Sequence, residues 1–176
     1  MKRSQLLPDD SPVFYQPYLD TLPQEADLLE LLQKQAVNFP EFLAHIPEDR
    51  FGFRYAPGKW SVAEVIGHIL DAERVFQYRA LRFARKDATP LPGFDQDPWI
   101  PNHPMADWTA DRFIAEYEIV RSASISLFAT CTEEDLLWKG TASGKSVSLG
   151  ALGFIICGHQ RHHRDILRTR YLDNPA

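Results

Sequence analysis

The chain has 176 residues, of which 44% are hydrophobic and 24% are charged, and its formal net charge is −5. This size and composition are typical of one globular domain with a sizeable core, and the negative charge argues against a general nucleic-acid-binding protein. No apolar run approaches the ~20 residues that span a bilayer, and no apolar stretch follows the basic N-terminus. Neither a membrane span nor a signal peptide is therefore expected.

The two cysteines, Cys131 and Cys157, are far apart in the sequence and form no CxxC motif. That pattern favours two free thiols in a reducing compartment, because structural disulfides are rare in the cytosol. We therefore expect a cytoplasmic protein.

The N-terminal residues 1–22 combine three prolines with three aromatic residues. This composition predicts an extended arm whose aromatic side chains pack against the rest of the chain. Residues 23–176 then form the main domain.

Four long segments show the spacing of amphipathic helices. They are residues 23–45, 61–86, 107–130 and 148–172. The second should begin at a capping box, since Ser61 precedes Glu64 by three positions, and Ser148 should cap the fourth. With no strand signal between them, these segments predict an all-α fold, a four-helix bundle.

Residues 87–105 form a long, proline-rich connection between the second and third helices. Such a connection is either a crossover strap joining two parallel neighbours in the bundle or a lid over a site, and the two interpretations are compatible. A second polar segment, residues 140–147, contains Gly-Lys-Ser. It lacks the full spacing of a phosphate-binding loop and a preceding apolar strand, so it predicts only a turn.

His159 and His163 lie one turn apart in the middle of the apolar stripe of the fourth helix. Two imidazoles at positions i and i+4 can bind one metal ion, as in HExxH proteins, but Gln160 replaces the glutamate of that motif and argues against a protease of that type. The ordinary alternative is a pair of core histidines with hydrogen-bond partners. A third ligand is needed to decide between them.

His68 and Glu73 belong to the second helix. His68 lies away from the strongest apolar stripe, so it points either at the fourth helix or towards water at the edge of the bundle. Glu73 lies near the centre of the stripe, where a carboxylate is either paired with an arginine or placed beside a metal ligand.

Three stretches resemble the DinB-like superfamily, and in particular its YfiT-like members. They are Tyr55-x-Pro57-Gly58-Lys59-Trp60-Ser61-x-x-Glu64-x-x-x-His68-x-x-Asp71-x-Glu73, the run 79–85 followed by Pro90-Leu91-Pro92-Gly93-Phe94-Asp95-Gln96-Asp97, and Gly144-x-x-Val147-Ser148 followed by Gly158-His159-x-x-His162-His163. The resemblance covers about residues 51–172. It implies an up-down-down-up four-helix bundle, often a homodimer.

The resemblance also implies a metal site with one histidine from the second helix and two from the fourth, which are His68, His159 and His163 here. The expected cofactor is a divalent ion, zinc or nickel, with iron or manganese as alternatives. Characterised relatives use bacillithiol or mycothiol in thiol transfer or isomerisation, and others are described as metal-dependent hydrolases.

Three functions follow from this resemblance. The first is a metal-dependent S-transferase that joins a small-molecule thiol to an electrophilic substrate. The others are a metal-dependent hydrolase and a non-catalytic metal-binding protein of a stress response. No residue stands out as the general base, and the candidates are Glu73, Asp95, Asp97 and His103.

Overall fold

The computed structural model of the chain describes residues 1–102, 104–105 and 107–173. Its helices are α1 (Gln16–Leu19), α2 (Leu28–Ala44), α3 (Val62–Ala84), α4 (Ala110–Ala129), α5 (Glu133–Leu137) and α6 (Leu149–Ile166). The long helices α2, α3, α4 and α6 correspond to the four that the sequence predicts. A π-helical segment, Leu167–Leu172, continues α6.

Side-chain caps determine where the long helices begin. The Ser61 hydroxyl accepts a hydrogen bond from the backbone N–H of Glu64, and the Glu64 carboxylate accepts one from the N–H of Ser61, as the capping box predicts. Ser148 caps α6, as expected. The first long helix begins later than predicted, because Asp27 caps it by accepting from the N–H groups of Leu29 and Glu30.

The four long helices form an up-down-down-up bundle. In it α2 packs against α4 and α6, and α3 also packs against α4 and α6. Contacts of Leu28 with Gly153 and of Gln35 with Cys157 show that α2 runs parallel to α6. The helices α3 and α4 are parallel too, so the long connection between them crosses the length of the bundle, as the strap interpretation predicts.

The N-terminal segment turns through short helices rather than remaining extended as predicted. Two 3₁₀ turns, Arg3–Gln5 and Val13–Tyr15, precede α1. Its side chains Tyr15, Leu19 and Leu22 are buried in the same core as α6. The segment therefore forms one wall of the bundle next to the fourth long helix.

The sequence shows no strand signal and predicts only a turn at residues 140–147, but the structure contains a short hairpin there. Strands β1 (Lys139–Ala142) and β2 (Lys145–Ser148) form an antiparallel hairpin. Ser143 and Gly144 make its turn with positive φ angles of 53° and 70°, which matches the two-residue hairpin turns that the right-handed strand twist favours. Leu91 from the long connection bridges to Ala142 and holds the connection against the hairpin.

No helix in the described part of the chain is both long enough and apolar enough to cross a bilayer.

Candidate metal centre

Three imidazoles from two helices converge inside the bundle. His68 projects from α3, and His159 and His163 project from α6. One ring nitrogen of each lies within 4.8 Å of the corresponding nitrogens of the others. The Nε2 atoms of His68 and His159 are 3.0 Å apart. The structure therefore places the second-helix histidine at the fourth helix rather than in water, and brings together the three residues implied by the resemblance.

Helix geometry explains why His159 and His163 share this position while His162 does not. Positions i and i+4 lie on one helical face, whereas i+3 is turned towards its edge. His162 is half-buried, and its ring packs edge-on against Tyr18 at a centroid distance of 5.2 Å. His162 thus lies next to the cluster but is not one of its three members.

Two of the three imidazoles have strongly lowered pKa values. Burial, reinforced by the neighbouring imidazoles, lowers the pKa of His159 well below its usual value. The same causes lower the pKa of His163 to about 3. Both rings are therefore neutral near pH 7, which is the form in which imidazole binds a metal ion.

The 3.0 Å separation of the His68 and His159 Nε2 atoms is that of a hydrogen bond, and it is also close to the spacing of two nitrogens on one ion. Two nitrogens bound to one zinc ion at about 2.0–2.1 Å in tetrahedral geometry are about 3.3–3.4 Å apart, close to the observed 3.0 Å. Nε2 of His163 is buried, and within the described residues it lacks a hydrogen-bond partner. A buried polar atom without a partner is costly, and coordination of an ion would satisfy it.

A cavity of about 430 Å³ opens beside the three histidines. Its wall is mostly aromatic, with side chains from the N-terminal segment, from the residue before the Ser61 cap of α3, from α3 itself and from the long connection. These are Phe14, Tyr15, Tyr18, Trp60, Phe76 and Phe94. The connection thus forms part of the mouth, as the lid interpretation predicts. A cavity of this size can hold a small-molecule ligand.

Aromatic rings contact the histidines directly. The ring centroid of Trp60 is 5.0 Å from that of His68, and those of Tyr18 and Phe76 are 5.2 and 5.9 Å from that of His159. These contacts restrict the orientations of the His68 and His159 rings. Tyr15 and Tyr18 precede the stretches that carry the resemblance, and the sequence predicts only that the aromatic side chains of this arm pack against the rest of the chain.

Glu73 occupies a different part of the core from the histidine cluster. Its two carboxylate oxygens accept hydrogen bonds of 2.8 Å from Nε and Nη2 of Arg121, and the Ser124 hydroxyl donates to it as well. Arg121 also donates to Gln35. The alternative of an arginine partner is therefore observed for Glu73, and its assignment as a candidate general base is not supported.

Asp95 and Asp97, two further candidates for the general base, do not line the cavity beside the cluster. Both are exposed. The Asp95 carboxylate instead accepts a hydrogen bond from the backbone N–H of Asp97, which shapes the loop. His103 lies outside the described residues.

Comparisons with known proteins identify the relatives of this fold. The sequence profile of the DinB superfamily matches residues 31–167. A solved structure, YfiT from Bacillus subtilis, superposes with a TM-score of 0.72 at 14% sequence identity, covering 93% of this chain and 92% of that one. YfiT is described as a probable metal-dependent hydrolase with an unusual four-helix bundle topology. No curated protein is significantly similar to the chain.

Proposed function

Because the chain belongs to the DinB superfamily, we propose that it is a divalent-metal-dependent enzyme that transfers a small-molecule thiol to electrophilic substrates. His68, His159 and His163 would hold the ion, zinc or nickel in the first instance. The observation that carries this proposal is the convergence of three imidazoles beside an open cavity.

Three protein ligands leave coordination positions for a further ligand. A divalent ion so bound would lower the pKa of a coordinated thiol or water and so supply a nucleophile near neutral pH. The aromatic wall would hold the apolar part of an electrophile next to the three histidines and exclude solvent from it. The open cavity also argues against a purely metal-binding protein, which would have no need of it.

The polar groups around the cavity favour thiol transfer over hydrolysis. Within the described residues the wall carries no carboxylate, and its only imidazoles are those of the cluster. In thiol transfer to an alkyl or aryl halide, the thiol first loses its proton to solvent, the thiolate then forms the carbon–sulfur bond as the carbon–halogen bond breaks, and the halide leaves without needing a proton. In amide hydrolysis the leaving amine must be protonated by a positioned acid, and the proton donors that this wall offers are hydroxyl groups, which are weaker acids than a carboxylic acid or an imidazolium.

Hydrolysis is the second candidate function. It is favoured by the structural similarity to YfiT, which is described as a probable metal-dependent hydrolase. An activated ester, whose leaving group needs no proton, would be the substrate class best suited to a wall without a carboxylate.

The two functions can be separated with one purified, metal-loaded preparation. Bacillithiol, mycothiol and glutathione are each supplied with 1-chloro-2,4-dinitrobenzene, and the aryl thioether is followed by absorbance. A matched series contains activated esters and no thiol. Thioether formation that is lost in His163→Ala and retained in His162→Ala supports S-transfer. Ester cleavage that is lost in His163→Ala and retained in His162→Ala, without thioether formation, supports hydrolysis. The absence of both activities would contradict an enzymatic role for the cluster.

We also propose that the protein is a homodimer, as the resemblance implies. Light scattering on the purified chain tests this, and a monomeric mass would contradict it.

A further inference from the structure

Arg79 is a buried cation with unusual partners. Its side chain is in α3 and only 2% of it is exposed. Three other arginines of the bundle, Arg74, Arg82 and Arg121, each form an ion pair with a carboxylate. Within the described residues, the hydrogen bonds of Arg79 go instead to neutral oxygens. A buried charge without a counter-charge is costly unless something else compensates it.

The neutral partners of Arg79 come from three separate segments. Nη1 donates to the hydroxyl of Tyr15 at 3.4 Å, and Nη2 donates to the carbonyl of Pro92 at 2.9 Å and to the hydroxyl of Ser143 at 3.0 Å. The guanidinium also lies over the ring of Phe94, 5.5 Å from its centroid. Arg79 therefore ties the N-terminal segment, the long connection and the hairpin turn together.

The two hydroxyls that accept from Arg79 line the cavity of the metal centre. Both Tyr15 and Ser143 belong to its wall. Because their oxygens accept from the guanidinium, their own hydrogens are available to donate elsewhere. Burial raises the pKa of Tyr15 although Arg79 opposes that shift, so its hydroxyl keeps its proton. The wall thus presents two O–H donors polarised by a buried positive charge.

The backbone conformation of Ser143 favours glycine, so the serine hydroxyl is the feature that needs explaining. Its φ angle of 53° is in the left-handed region, where glycine is the default and most other residues are strained. A glycine at this position would adopt the φ angle that the hairpin turn requires without strain. A serine here supplies the hydroxyl that bridges Arg79 and the cavity.

We propose that Tyr15 and Ser143, polarised by Arg79, form a binding site for a carboxylate group of the substrate. This inference rests on the proposed function in one respect, which is that the reaction takes place in the cavity that Tyr15 and Ser143 line. Phe76 relates the two sites, since its ring centroid lies 5.9 Å from the guanidinium carbon of Arg79 and 5.9 Å from the ring centroid of His159. The substrate class is a small carboxylic acid whose carboxylate and reacting atom occupy the same cavity.

The test compares benzoate with its neutral analogue benzamide by isothermal titration calorimetry. Because a carboxylate can also bind a metal ion, the titrations are run on the metal-loaded protein, on chelator-treated protein and on His159→Ala. The double variant Tyr15→Phe/Ser143→Ala removes both donors and leaves Arg79 in place. A second double variant, Tyr15→Phe/Ser143→Gly, removes both hydroxyls and also relieves the backbone strain at position 143.

A matched control keeps these two hydroxyls and removes two others. Tyr78→Phe removes an exposed hydroxyl that accepts from Arg82, and Ser146→Ala removes an exposed hydroxyl on the same hairpin. Neither hydroxyl contacts Arg79.

We expect benzoate to bind all three preparations with similar affinity and benzamide to bind at least about tenfold more weakly. Both double variants should weaken benzoate binding about tenfold or more, the effect of losing hydrogen bonds to a charged group, and the control should not. Equal binding of benzoate and benzamide would overturn the proposal. So would benzoate binding that needs the metal, or an equal loss in the control.

The metal content of each preparation, measured separately, distinguishes the two proposals. A protein that binds no metal but discriminates benzoate from benzamide refutes the metal centre and supports the carboxylate site. A protein that holds metal through the three histidines without this discrimination does the reverse.

Discussion

The Nε2 atoms of His68 and His159 lie 3.0 Å apart although 91 positions separate the two residues in the chain. Their proximity arises from the antiparallel packing of α3 against α6. The candidate metal centre is therefore a product of tertiary structure, and it depends on the packing of its neighbours as well as on its ligands.

The close packing of the N-terminal segment on α6 depends on Gly158. A Cβ at this position would lie 2.4 Å from the backbone oxygen of Tyr18. We expect Gly158→Ala to displace this segment and to lower the free energy of unfolding by about 1–3 kcal/mol, measured by urea denaturation. Gly52→Ala is the matched control, because a Cβ there meets nothing within 4 Å. Equal stability of the two variants would show that the segment does not pack as described.

The buried ion pair between Glu73 and Arg121 should contribute to stability and not to metal binding. Glu73→Gln leaves Arg121 buried without its counter-charge, which costs about 3–5 kcal/mol. The control is Glu116→Gln, which breaks the partly exposed pair with Arg74 and should cost at most about 1 kcal/mol. Urea denaturation measures both. A metal content lost in folded Glu73→Gln would contradict the structural role.

The cysteines should differ in reactivity, and neither should be a nucleophile near neutral pH. Burial raises the pKa of Cys157 to about 12 and also raises the pKa of Cys131. Since only the thiolate reacts, alkylation by iodoacetamide should be slow at pH 7 and should speed up as pH rises. Cys131, which is partly exposed, should react first, and Cys157 only after unfolding. Mass spectrometry of the labelled peptides checks this order, and rapid labelling of Cys157 in the folded protein would contradict its burial.

Trp60 should report on the metal centre, because its ring lies 5.0 Å from that of His68. We expect Ni²⁺ to quench part of the tryptophan fluorescence of the metal-free protein. Trp60→Phe should lose most of this response. Trp108→Phe should retain it, because Trp108 packs against Phe113 and does not line the cavity. Equal responses of the two variants would place the ion elsewhere.

The sequence predicted the bundle because periodicity and capping are local properties. Ser61 with Glu64 and Ser148 each mark a helix start that the structure confirms. The hairpin at 139–148 was missed because its strands have only four residues each and its outer half is polar. A short polar strand and a polar turn are difficult to distinguish by pattern.

The candidate site was predictable only in part, for a related reason. The one-turn spacing of His159 and His163 is visible in the sequence, but the orientation of His68 and the partner of Glu73 depend on packing between helices. Arg121, which pairs with Glu73, lies 48 positions further along the chain. The roles of Tyr15, Arg79 and Ser143 depend on three distant segments meeting at one wall, which no local pattern indicates.

The most direct measurement is the metal-to-protein ratio, by elemental analysis, of protein loaded with zinc or nickel and then dialysed. We predict one ion per chain in the wild type and in His162→Ala, whose altered residue lies beside the cluster. We predict a loss of bound metal in His68→Ala, His159→Ala and His163→Ala. A His68→Ala variant that holds as much metal as the wild type would contradict the three-histidine centre.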